Sequence, residues 1–238
     1  MTTTVYNSWP LGKLPKSFQR PELDQLKNKG YTWKDPRDAV KMFEEKMASY
    51  AGCKYAVAVD CCSHAIFLCL KYLDEGGTVT IPNRTYVSVP MQIKHAGYQV
   101  KFEDLEWSGL YQLKPYPIYD SAVRMTKDMF VGGDENMQVL SFQIKKKIPI
   151  GKGGMILTNN KKAYEWLKLA SYDGRDLDTT YDNPNHIKMM GYHMYMTPED
   201  AARGILLMDQ IPEKNKDSGC HLNYPDLTKL GIKWSTDD

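Results

Sequence analysis

The sequence has no stretch of about 18 apolar residues, so it offers no segment that reads as a membrane-spanning helix. It has no CxxC pair, and its five cysteines are Cys53, Cys61, Cys62, Cys69 and Cys220. An odd number without paired spacing points away from a disulfide framework and toward a reduced, cytoplasmic setting. Cys61 and Cys62 are adjacent, which is poor geometry for a shared metal, so no metal site is expected. The first residues, MTTTVYNSWPLGK, lack the basic start and apolar run of a signal peptide. Charge of one sign is also missing: 31 Lys and Arg stand against 29 Asp and Glu, a net charge of +2. That near-balance argues against a general nucleic-acid binder. Neither a GxxxxGK[ST] loop nor a GxGxxG turn occurs, so the nucleoside-triphosphate and Rossmann fingerprints are absent. There is no internal repeat and no low-complexity tract.

What remains is an ordinary globular composition, 42% hydrophobic and 25% charged, over 238 residues. Residues 1–35 read as an irregular arm broken by Pro10, Pro15 and Pro21, with one short helix near Pro21 to Lys29. Asp35 and Pro36 then suit the cap and first turn of a helix carrying Val40, Phe43, Met47 and Tyr50 at spacings of three and four. Gly52 suits its end. A short apolar run at Tyr55–Val59 reads as a buried strand, and strand-like stretches follow at Thr78–Ile81, Gln99–Phe102, Pro117–Tyr119, Met137–Ser141 and Gly154–Thr158. Helical patterns separate several of them: one capped by Ser63, one opening at Ser88, and one over Lys161–Ala170. A last helix runs from Thr197 and Pro198 to about Met208. Strands alternating with helices predict a three-layer α/β/α domain over 36–210 with a mostly parallel sheet. Residues 211–238 form a polar tail too short for a second domain.

In such sheets ligands bind at the carboxyl ends of the strands. Those positions here hold a helix start at Cys62–His64, an aromatic ring at Tyr86, a carboxylate at Asp120, and a Ser141-to-Lys147 stretch with three lysines. Each signal alone has a plain structural reading: a Ser cap, a core tyrosine, a solvated basic face. Their order matches what pyridoxal phosphate needs. Its phosphate suits a helix N-terminus, its ring a flat partner, its pyridine nitrogen a carboxylate, and its aldehyde a lysine.

The segment from Phe43 to Met208 resembles the DegT/DnrJ/EryC1/StrS family of sugar aminotransferases, a fold-type I group within the aspartate aminotransferase superfamily. Phe43–Val59 is similar to the family's first helix and strand. Asp60–Ala65 (DCCSHA) stands where the family has Ser-Ser-Gly-Thr-Ala-Ala. Pro82–Val87 resembles its Pro-x-x-Thr-aromatic turn. Ser141–Thr158 resembles Ser-Phe-His-x-x-Lys-Asn-x-x-x-Gly-Glu-Gly-Gly and the strand after it. Gly191–Thr197 resembles Gly-x-Asn-Tyr-Arg-Met-Thr. Counting five on from Ser141 and five back from Gly151 meets at Lys146.

The resemblance implies Lys146 as the catalytic Schiff-base lysine. It implies Asp120 on the pyridine nitrogen, Tyr86 against the ring, and Cys62, Ser63 and Ser141 around the phosphate. Gln143 replaces a frequent His near the cofactor, and His193 replaces an Asn that reaches the partner subunit. The implied activity is a ping-pong transfer of an amino group, with glutamate as donor, to a nucleotide-linked keto sugar, in a homodimer with shared sites. Departures include Val123 for Gln or His, Lys152 for Glu, and His64 for Ala. The family's C-terminal small domain is mostly missing from residues 209–238. One alternative is a non-transaminating homologue that binds pyridoxal phosphate or a sugar nucleotide as a regulator or partner subunit. A dehydratase is disfavoured because Lys146 is retained, and an unrelated α/β domain with a basic loop is the plainest reading.

Overall fold

The computed structural model describes residues 16–179 and 183–234, so the first 15 residues of the expected arm lie outside it. Seven strands and six helices of this described chain build the fold. The central sheet has the order β1-β7-β6-β5-β4. These strands are β1 (Tyr55–Val59), β4 (Tyr111–Gln112), β5 (Ile118–Asp120), β6 (Met137–Ser141) and β7 (Gly154–Thr158). β2 (Thr78–Pro82) and β3 (Gln99–Glu103) pair in parallel, and an antiparallel bridge from Thr80 to Lys114 ties them to the β4 edge.

Side-chain alternation along the inner strands makes two cores. Val57, Val59, Met137, Val139 and Ile156 face one way, onto α3 (Cys62–Leu73), α4 (Ser88–His95) and α5 (Lys161–Ser171). Ala56, Ala58, Leu140, Met155 and Leu157 face the other way, onto α1 (Glu22–Asn28), α2 (Asp38–Ala51) and α6 (Pro198–Met208). Strands buried on both faces show no polar side to solvent, which is why they read as largely apolar runs, with Gln138 on β6 buried and hydrogen-bonded to Ser121. The expected α/β/α layering is therefore present.

The sheet is mixed rather than simply parallel. β5 and β6 pair in parallel, while β7 runs against both β1 and β6, and β4 runs against β5. Followed through these pairings and the Thr80–Lys114 bridge, five strands share one direction and β4 and β7 oppose them. "Mostly parallel" thus holds for strand direction and fails for pairing. The reason is local: β7 follows β6 through a loop with no crossover helix, so it returns antiparallel.

Three local expectations shift. α2 begins at Asp38, not at Asp35, because the Asp35 carboxylate accepts from the Arg37 amide at 2.8 Å and closes a turn of its own. The cap of α3 is Cys61, not Ser63: Cys61 Sγ accepts from the His64 amide at 3.4 Å. β4 was not read from the sequence at all. Elsewhere the reading stands, with Gly52 left-handed at the end of α2 and Thr197 capping α6 ahead of Pro198.

Two peripheral segments are bound to the body. α1 buries Leu26, and its flanks pair Arg20 with Asp200 and Lys29 with Asp209 on α6 and its end. The tail after Pro212 folds back over the carboxyl ends of the strands. Its Asp217 forms a two-point ion pair with Arg124 at 2.9 and 2.7 Å, its Ser218 amide donates to Val123, and Leu227 is fully buried.

Candidate active site

A cavity of about 670 Å3 opens where β1, β2, β5 and β6 end. Cys62, Ser63, Tyr86, Asp120, Ser141, Gln143 and Lys146 all line it, so one space gathers seven of the eight residues singled out in the sequence. His193 is the exception. Its side chain is 72% exposed, 3.1 Å from Asp173, and set edge-on to Tyr195 outside the cavity. A second cavity, about 510 Å3 between α2, α5 and the loop after it, holds none of the eight.

Asp120 closes β5 and is buried. Its Oδ2 accepts from the Tyr111 hydroxyl at 2.7 Å, and its Oδ1 accepts from the Ala122 amide at 2.9 Å. The Tyr111 proton is committed to Asp120, so the Thr85 hydroxyl, 2.5 Å away, donates to Tyr111. Burial raises the Asp120 carboxyl above its ordinary range, against the pull of these two donors and of Lys146. Tyr111 has no part in the sequence reading, and Thr85 enters it only as the Thr of the Pro-x-x-Thr-aromatic turn, without a role at the site. Tyr111 faces Asp120 directly across the β4–β5 pair, so recognising β4 would have found it.

The start of α3 forms another wall. First-turn amides of a helix have no intrahelical partner, and the dipole there favours an anion. Ser63 Oγ lies 2.6 Å from Ser88 Oγ at the start of α4, which adds a second hydroxyl that the sequence did not flag. Burial pushes the Cys62 thiol well up, so it stays neutral there. Gly154 lets this wall approach the sheet: a Cβ on it would lie 2.5 Å from the Cys61 carbonyl carbon and the Cys62 nitrogen. That contact is the physical content of the Gly-Lys-Gly-Gly run.

Lys146 sits in the loop after β6, half-buried, with its charge acting on both Asp120 and Cys62. The turn that carries it is held by Gln143. The Gln143 carbonyl accepts from the Lys146 amide, and its side chain accepts from the Lys145 amide at 2.8 Å. Lys145 and Lys147 are exposed, and Lys152 pairs with Asp60 at 3.1 Å. Of the basic run, Lys146 is thus the one drawn inward.

The remaining wall comes from the tail. Ser218, Asn223 and Tyr224 line the cavity. The Tyr224 ring stacks on Trp107 with centroids 5.7 Å apart, and its carbonyl accepts from Arg84 at 3.2 Å. Burial, with Asp120 and Cys62 nearby, pushes the Tyr224 hydroxyl up to about 12. No local pattern could reveal this wall, since it lies some hundred residues from what it touches.

The model of the DegT/DnrJ/EryC1/StrS aminotransferase family matches residues 17–127 and 121–221. The spore coat polysaccharide biosynthesis protein SpsC of Bacillus subtilis is 22% identical, over 82% of this chain and 62% of its own length. GDP-perosamine synthase of Escherichia coli O157:H7 is 24% identical, over 73% of this chain and 58% of its own. Among solved structures, AtS13 from Actinomadura melliaura superposes with a TM-score of 0.66 at 19% identity, over 79% of this chain and 64% of that one. The chain spans about three fifths of the length of the curated relatives it matches. With the family model covering most of its length, the chain belongs to the DegT/DnrJ/EryC1/StrS aminotransferase family.

Proposed function

We propose that this chain acts in a pyridoxal-phosphate-dependent aminotransferase that moves an amino group from glutamate to a nucleotide-linked keto sugar in the cytoplasm. The observation that carries the reading is the shared cavity of Lys146, Asp120 and the α3 N-terminus. The residues fit the cofactor. A buried carboxylate, an inward lysine and a helix start with adjacent hydroxyls are the three groups it needs. When bound, the cofactor supplies an electron sink and a carrier for the amino group.

This chain's own residues do the rest. The first turn of α3, with Ser63 and Ser141, holds the phosphate. Asp120, kept in place by Tyr111 and the Ala122 amide, holds a proton on the pyridine nitrogen. Tyr86 covers one face of the ring. Lys146 Nζ would hold the cofactor and, when released from it, would take up and give back a proton as the general base. Residues 36–210 form the cofactor-binding domain. The exposed His193, outside its own cavity, reaches the phosphate site of a second copy in a homodimer.

Absorbance after adding pyridoxal phosphate tests this reading. The chain should gain a visible band that bleaches with glutamate, and Lys146→Ala should lose it. A band in Lys146→Ala would overturn the lysine assignment. A band that ignores glutamate would favour a binding-only protein, and no band at all would remove the cofactor reading. A strictly monomeric mass in solution would rule out the shared site.

A further inference from the structure

Three departures from the family pattern fall on one spot. Asp60 and Cys61 stand at the two Ser positions of Ser-Ser-Gly-Thr-Ala-Ala, and His64 stands at an Ala position. One ligand atom from each of Asp60, Cys61 and His64 lies within 4.8 Å of the other two. The cofactor needs none of these three side chains. We propose that Asp60, Cys61 and His64 form a binding site for a thiophilic divalent cation of the Zn2+ class beside the phosphate end of the cavity.

The geometry suits it. Zn–ligand bonds of 2.0–2.3 Å in a tetrahedral shell put ligand atoms roughly 3.3–3.8 Å apart. The widest separation here therefore has to close by at most about 1.5 Å. His64 Nδ1 and Asp60 Oδ1, now 2.6 Å apart, open slightly to admit the ion.

The spacing explains why the three meet. Cys61 is the extended N-cap of α3, Asp60 precedes it at the end of β1, and His64 is one turn on. All three side chains are half-buried, reachable from solvent yet partly stripped of it. The two Asp60 oxygens divide the work: Oδ1 faces His64, and Oδ2 accepts from Lys152 at 3.1 Å, the outer-shell contact that orients a ligating carboxylate. A thiolate and an imidazole select zinc over magnesium or calcium, which prefer oxygen shells. On binding, Cys61 and His64 each release a proton to solvent. Three protein ligands leave one position open, and Cys61 itself lines the cavity.

Cys61 and Cys62 do not share the ion, which is the geometry that the sequence argued against. Cys62 opens the helix and lines the cavity with Asp120 and Lys146. Only one of the adjacent thiols belongs to the trio.

Co2+ serves as the spectroscopic probe, added to the reduced, metal-free and cofactor-free chain. Wild type should take up one equivalent with a thiolate-to-cobalt charge-transfer band, and Zn2+ should displace it. Cys61→Ser should abolish the band while keeping an oxygen cap on α3, so the fold is retained. His64→Ala and Asp60→Ser should each weaken Zn2+ binding by more than the roughly 10–100-fold that outer-shell changes cost. Cys62→Ser and Cys220→Ser should leave it intact. No band in wild type, or a band that survives in Cys61→Ser, would overturn the site. The measurement involves no pyridoxal phosphate, so its outcome is independent of the aminotransferase reading.

Discussion

The Tyr111 hydroxyl donates to Asp120 Oδ2 at 2.7 Å, across the cross-strand pair that these two residues form. Burial and hydrogen bonding oppose each other on that carboxylate, and burial is the larger. Removing the donor therefore raises Asp120 further. Tyr111→Phe should weaken pyridoxal phosphate binding by about tenfold, the equivalent of one hydrogen bond to a charged group. The acid limb of the binding profile should also move to higher pH, because more base is then needed to ionise Asp120. Absorbance titrations across pH check both, and an unchanged profile would show that Tyr111 does not hold the carboxylate.

Gly154 abuts the backbone of Cys61 and Cys62, so a methyl there meets main chain that cannot rotate away. Gly154→Ala should cost about 1–3 kcal/mol in denaturant unfolding, as overpacking does. It should also impair phosphate binding at the start of α3 out of proportion to that loss. Inorganic phosphate protection of the melting temperature measures the second effect.

Glu22 is buried, and burial alone would raise its carboxyl. Hydrogen bonds from Arg20 and Arg203 outweigh this and hold it below its ordinary value of 4.5. A lowered folded pKa means the pairing stabilises the fold in full above about pH 4.5 and is lost as pH falls through the lowered value. Both arginines are partly exposed, which discounts the energy. Glu22→Gln should cost about 2 kcal/mol at neutral pH and less at pH 3. Thermal melts at the two pH values decide it.

Leu227 is fully buried beneath the returning tail. Leu227→Ala should cost about 2–4 kcal/mol of local anchoring. Residues 212–227 should then be cleaved sooner by a dilute protease, and pyridoxal phosphate affinity should fall with the loss of the Tyr224 wall. Cleavage at the wild-type rate would mean the tail is held mainly by the Arg124–Asp217 pair.

The legible parts of this chain were those fixed by near neighbours. β1, β6 and β7 are mainly apolar because both faces are covered, with Gln138 on β6 a buried polar exception. Lys146 is marked by Ser141 on one side and Gly151 on the other, within a single loop. What escaped notice depends on distant partners. Tyr111 acquires its role only by pairing with Asp120, Ser88 by meeting Ser63, and Tyr224 by stacking on Trp107. The cap of α3 is Cys61 and not the expected Ser63, because a cysteine sulfur, an uncommon cap, accepts the His64 amide one turn in.

The returning tail also sets an order in time. Lys146, Asp120 and the α3 start are all made before residue 150, but the wall with Ser218 and Tyr224 is made some seventy residues later. Arg84 must find the Tyr224 carbonyl across 140 positions, and Arg124 must find Asp217 across 93. Closing loops of that length is slow relative to forming a helix. During synthesis the chain therefore carries its lysine and carboxylate on an open trough. On the proposed function, cofactor capture would then be governed by when residues 212–227 dock rather than by when Lys146 and Asp120 appear.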